Sequence, residues 1–61
     1  MSAFGVGQHV ELLVSVQPPQ GDTVESGATG VVREAEGERF LVEFLSGQQT
    51  WLDAAALRAR T

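Results

Sequence analysis

From Gln8 to Gln17 apolar and polar side chains alternate. Val10, Leu12, Val14 and Val16 share one face, and His9, Glu11, Leu13 and Ser15 share the other. A period of two marks a half-buried strand, so this run predicts one of about eight residues. Thr29 to Glu36, with Val31 and Val32 inside it, predicts a second strand, and Glu36-Gly37-Glu38 a turn. Arg39 to Leu45 predicts a third, with Phe40, Val42 and Phe44 on one side and Leu41, Glu43 and Leu45 on the other. Ser46-Gly47 reads as a two-residue hairpin turn, because glycine accepts positive φ without strain. Gln48 to Leu52 is a fourth strand. Asp53-Ala54-Ala55-Ala56 predicts one short helical turn with Asp53 as its N-cap. Leu57 to Arg60 then closes the structure as a fifth strand. A longer helix from Asp53 to Arg60 is the competing reading, favoured by its alanines, but so short a helix is marginal alone.

The polar stretch from Gln17 to Thr29 carries Pro18-Pro19, Gly21 and Gly27, the composition of one long loop. Five short strands, a long first loop, tight later hairpins and a helical turn before the last strand predict one all-β domain over residues 1–61. The expected architecture is a small five-stranded SH3-like barrel whose closure removes exposed strand edges. Val10, Leu12, Val14, Phe40, Val42 and Phe44 are the expected core, with Leu52 and Leu57 also pointing inward.

Composition narrows what supports such a fold. With 61 residues the chain buries only about 60% of its unfolded surface. It has no cysteine, so no disulfide forms, and His9 is the single ligand available to a Cys/His zinc site. A well-formed β core, or association with another chain, must do the rest. Eight acids oppose four bases, all arginine (Arg33, Arg39, Arg58 and Arg60), for a net charge of −4. Nucleic-acid binders draw affinity from a basic stripe, which these scattered arginines do not make. The same acidity argues against an anionic membrane surface. No apolar run approaches the roughly 20 residues of a membrane-spanning helix. Met1-Ser2-Ala3-Phe4-Gly5 lacks the features of a secretory signal, so a cytoplasmic location is expected.

Four short motifs order the chain: G-x-x-V at Gly7 to Val10, G-x-x-G-x-V at Gly27 to Val32, F-x-V-x-F at Phe40 to Phe44, and L-x4-L at Leu52 to Leu57. Together they resemble bacterial SH3-like barrels. Among these the chain looks like the small accessory barrels of redox and hydratase enzymes. Examples are the variable chain of ferredoxin–thioredoxin reductase, the photosystem I stromal barrel subunit and the barrel of the nitrile hydratase beta subunit. The resemblance spans nearly the whole chain. It implies a domain that docks onto a larger partner, carries no chemistry itself and holds no cofactor.

A local likeness implies something different. Phe4-Gly5-Val6-Gly7-Gln8-His9-Val10 is similar to the first strand of the type II dihydrofolate reductases, barrels that assemble as tetramers around one pore. That implies an oligomeric enzyme with its site at the oligomer axis. In that family a Val-Gln-Ile-Tyr run lies ahead of an Ala-Leu pair on the pore floor. Aligned on Ala56-Leu57, this chain has Gln49, Thr50, Trp51 and Leu52 there, and it has no lysine for the pore. The nucleotide and folate contacts therefore do not carry over. KOW and Tudor modules, which bind nucleic acid, share the barrel and give a third reading, against which the acidity counts.

Single residues favour the docking reading. If Leu52 and Leu57 point inward, alternation places Trp51 on the outer face, and tryptophan is enriched among binding hot spots. The alternatives are a Trp51 that caps the barrel end or, after a one-residue slip, sits in the core. Leu13, Leu41 and Leu45 also point outward, where a one-sided sheet should be polar. With Trp51 they are expected to form one contiguous apolar patch, unless the long loop folds over them. Pro18-Pro19 is stiff and reads as a recognition loop. Phe4, Phe40, Phe44 and Trp51 are too few aromatics for a proline-rich peptide groove. His9 and Glu11 share a strand face but lack an identifiable third metal ligand. Glu34, Glu36, Glu38 and Glu43 read as a solubilising hairpin that steers a basic partner and pairs with Arg33 and Arg39. The expected function is thus a non-catalytic interaction module, an accessory or regulatory subunit. Its contact set is Trp51, Leu13, Leu41, Leu45, Pro18 and Pro19, and its partner is another protein or a second copy.

Overall fold

The computed structural model describes residues 3–19 and 21–60. Met1, Ser2, Gln20 and Thr61, which fall in the expected amino terminus, long loop and chain end, lie outside the described residues. Five strands form: β1 (His9–Leu12), β2 (Thr29–Glu36), β3 (Arg39–Phe44), β4 (Gln49–Asp53) and β5 (Leu57–Ala59). A 3-10 turn at Ala54–Ala56 precedes β5, so the longer carboxy-terminal helix does not form. The strands make one antiparallel sheet in the order β4-β3-β2-β1-β5. The fold is all-β, with the strand count, long first loop and late helical turn of the expected small SH3-like barrel. No helix of the described residues is long and apolar enough to cross a membrane.

β2 covers the expected residues from end to end. Its first half pairs with β1 and nearly its whole length with β3. The register shifts between Val32 and Glu34, where one extra residue enters β2, and a bulge of this kind bends a strand and increases its twist. Gly30 lies where β3 crosses closest. A Cβ there would sit 2.6 Å from Val42 Cγ1 and 2.9 Å from the Glu43 carbonyl oxygen, so only glycine lets the two strands approach.

Three expectations need correction. First, β1 stops at Leu12, half the expected length. The Leu13 N–H still bonds to the Ala56 carbonyl (2.8 Å), a last rung in the β1–β5 register, before the chain leaves the sheet. Val14, expected in the core, is 52% exposed. Its alternation continues in sequence, but no neighbouring strand is there to receive it. The loop makes a small hairpin of its own, in which Val16 and Val24 exchange two backbone hydrogen bonds of 2.9 and 2.8 Å. Val24 and Phe4, both from irregular segments, complete the core instead. They join Val10 and Leu12 of β1, Val32 of β2, and Phe40, Val42 and Phe44 of β3, with Leu52 and Leu57 inward as expected. Phe4 meets Phe40 edge to face at 5.3 Å.

Second, the β3–β4 connection has four residues, Leu45 to Gln48, not two. Gly47 N–H bonds to the Phe44 carbonyl (2.8 Å), Phe44 N–H bonds to the Gln48 carbonyl (2.9 Å), and Gly47 takes φ +92°. Leu45 therefore belongs to the turn, not to a strand face. Asp53 does precede the 3-10 turn, but its side chain makes no cap hydrogen bond. Its carboxylate faces Arg39 at 3.5 Å instead.

Third, the sheet is not closed by pairing of its ends. β5 pairs with β1, β4 pairs with β3, and the 3-10 turn carries the chain between them without a β4–β5 ladder. Among the described residues β4 keeps one open edge.

Candidate functional site: a groove at the open edge of β4

The outer face of β3 and β4 is built in rows set by the register. Phe40 pairs with Leu52 on the inside, which fixes Leu41 opposite Trp51 on the outside. The tryptophan is thus in the expected register and is 38% exposed, while Leu41 is half-buried beside it. One row along, Arg39 stands opposite Asp53, and one row the other way Glu43 stands opposite Gln49. Arg33 reaches Glu43 at 3.0 Å. The leucine and the indole are therefore an apolar pair framed by two ion pairs, not part of a wide greasy sheet.

The apolar surface extends sideways, toward the long loop. Pro18 and Pro19 face Trp51 across an open groove of about 730 Å³, which Val16, Thr50 and Arg39 also line. Pro18 is buried and Pro19 exposed, so the first proline anchors the wall and the second presents it. The loop is held against β4 by Gln48, whose Nε2 donates to the Asp22 carbonyl at 2.9 Å. Gly21 makes room for that amide: it has φ +105°, and a Cβ on it would run into the Gln48 side chain. Gln48 carries no sequence signal of this role, being one polar residue at the edge of a turn.

The six expected contact residues do not form one patch. Trp51, Leu41, Pro18 and Pro19 come together around the β4 edge. Leu13 (44% exposed) follows the end of β1 beside the 3-10 turn, and Leu45 (92% exposed) stands at the β3–β4 turn. Leu45 borders a separate depression with Asp22, Thr23 and Val24. The long loop leaves Leu13, Leu45 and Trp51 exposed.

Charge around the groove is unbalanced. Glu11, Glu43 and Asp53 each have an arginine partner, respectively Arg58, Arg33 and Arg39. Arg39 thus pairs with Asp53 rather than with a glutamate of the β2–β3 hairpin. Glu11 Oε1, half of the weak metal-ligand pair with His9, accepts from both Nε and Nη2 of Arg58. Asp22, Glu25, Glu34, Glu36 and Glu38 have no salt-bridge partner among the described residues. Glu34 stands opposite Leu41, and Glu36 borders a hollow with Arg39 and Trp51. Arg60 uses its guanidinium on Thr29 Oγ1 (3.0 Å). No family model, curated protein or solved structure matches this chain.

Proposed function

We propose that the chain is a non-catalytic protein-interaction module, an accessory or regulatory subunit that docks through the face centred on Trp51. The observation that supports this reading best is an exposed indole set between a cross-strand leucine and a wall of two prolines. Such a surface is stiff on both sides, so little conformational freedom is lost when a partner covers it. Tryptophan anchors of this kind dominate binding when they enter a partner's pocket. Leu13 and Leu45 stand apart from this centre and act as peripheral contacts at most.

The test is affinity capture with the wild-type chain and with Trp51→Ala, together with light scattering of both. A bound protein, or self-association, is expected for the wild type. Loss of a central anchor costs about 2 kcal/mol or more, so binding by the variant should fall roughly thirtyfold. Its melting temperature should stay near that of the wild type, because the core lies on the other side of β4. A strictly monomeric wild type that retains the same proteins as Trp51→Ala would overturn the reading.

A further inference from the structure

The open edge of β4 offers more than side chains. The hydrogen-bonded pairs of the β3–β4 ladder are marked at its ends by Phe44 N–H on the Gln48 carbonyl (2.9 Å) and Ala54 N–H on the Glu38 carbonyl (3.1 Å). Antiparallel pairs alternate, so Thr50 and Leu52 direct their backbone groups at β3. Gln49, Trp51 and Asp53 direct theirs away from it, into the side where the sheet has no further strand among the described residues. No backbone group of a described residue pairs with them there. The Trp51 carbonyl receives only a long contact, 3.4 Å, from Arg39 Nη2. This unpaired edge borders the groove that Pro18 and Pro19 wall on its far side.

We propose that β4 accepts an additional strand: an extended, basic segment of another protein. Its backbone pairs with Gln49, Trp51 and Asp53, and an apolar side chain lies over Trp51 and Leu41. The proposal rests on the interaction-module reading and names the partner's chemistry. Edge addition of this kind takes affinity from main-chain hydrogen bonds and specificity from alternate side chains. A basic segment fits because the outer face next to Trp51 carries Glu34, opposite Leu41, and Glu36, which shares a hollow with Arg39 and Trp51, both without a cationic partner among the described residues, while Arg39, the one charged residue lining the groove, is paired with Asp53. A second copy fits less well, since it would bring a net charge of −4 against another −4.

The test uses a displayed library of random peptides selected on the whole chain, followed by synthesis of the enriched sequences. Trp51 is the sole tryptophan and there is no tyrosine, so indole fluorescence reports this site alone. Selected peptides should alternate Lys or Arg with an apolar residue and bind more weakly as salt is raised. Methylating the peptide amides that face β4 should weaken binding about tenfold, and methylating the opposite set should change little. In the complex, amide exchange at Gln49, Trp51 and Asp53 should slow.

Equal binding by both methylated peptides would overturn strand addition while leaving the docking face intact. Selection of acidic or proline-rich peptides, or of none, would overturn the basic-strand partner. Protection of the same three amides on concentrating the free protein would overturn it in favour of a second copy. Loss of the interaction reading itself is read separately, from the comparison of wild type and Trp51→Ala.

Discussion

β3 and β4 are adjacent strands with the same alternation and opposite situations. β3 lies between two strands, and Phe40, Val42 and Phe44 on its inner face are buried. Among the described residues β4 has one neighbour, a single buried residue in Leu52, and an edge facing a groove. The difference shows how a domain this small divides its labour. Apolar side chains on β3 are needed to hold the chain together, whereas those on the outside of β4 can be given to a partner. Two neighbouring strands should therefore respond to truncation in opposite ways, one in stability and the other in binding.

The sharpest break of that comparison is Phe40→Ala. Phe40 is fully buried and carries the edge-to-face contact with Phe4. Its truncation should cost about 3–5 kcal/mol, close to everything a chain of this length has in reserve. Denaturant titration should show little or no cooperative transition. A normal unfolding curve would mean that β3 is not the centre of stability. Gly30→Ala comes next. The new methyl group would collide with Val42 and the Glu43 backbone, and overpacking of this kind should cost roughly 1–3 kcal/mol. Both variants act through β3, and Trp51→Ala should lie well below either in its effect on stability.

Gly21→Ala tests the groove rather than the core. Positive φ at a residue with a Cβ costs on the order of 1–2 kcal/mol, and here the Cβ also strikes the Gln48 amide. The loop should shift, and the Trp51 emission spectrum should report it through the loss of the Gln48–Asp22 contact nearby. An unchanged spectrum with unchanged partner binding would show that the proline wall is not held by Gln48.

How far this division was legible beforehand depends on whether its cause is local. The Val31-Val32 strand between Gly30 and the Glu36-Gly37-Glu38 turn was legible to the residue, because turn and strand signals adjoin. Trp51 was placed on the outer face by simple alternation against Leu52. The end of β1 was not legible: Val14 and Val16 continue the rhythm, and what runs out is the partner, because the segment ahead of β5 is the 3-10 turn at Ala54–Ala56, forty-odd positions on. Phe4 and Val24 enter the core from segments with no periodicity at all. The open edge of β4 was masked by the expectation of closure, since strand order is decided by pairing between distant segments. Gln48 was invisible because its role exists only once Gly21 and Asp22 have been folded against it.

The smallest predicted effect is the one that separates the groove from the broad patch the alternation implied. Leu45 was expected on a strand face beside Leu41, but it stands at the turn and is 92% exposed. Leu45→Ser should change stability by no more than about 0.5 kcal/mol, as for exposed positions without special contacts. It should also leave partner binding within a factor of about two, because it lies outside the set that surrounds Trp51. If Leu45→Ser instead weakens binding as much as Trp51→Ala, the docking face runs along the outside of β3 to its turn. The open edge of β4 would then be only one border of a larger interface.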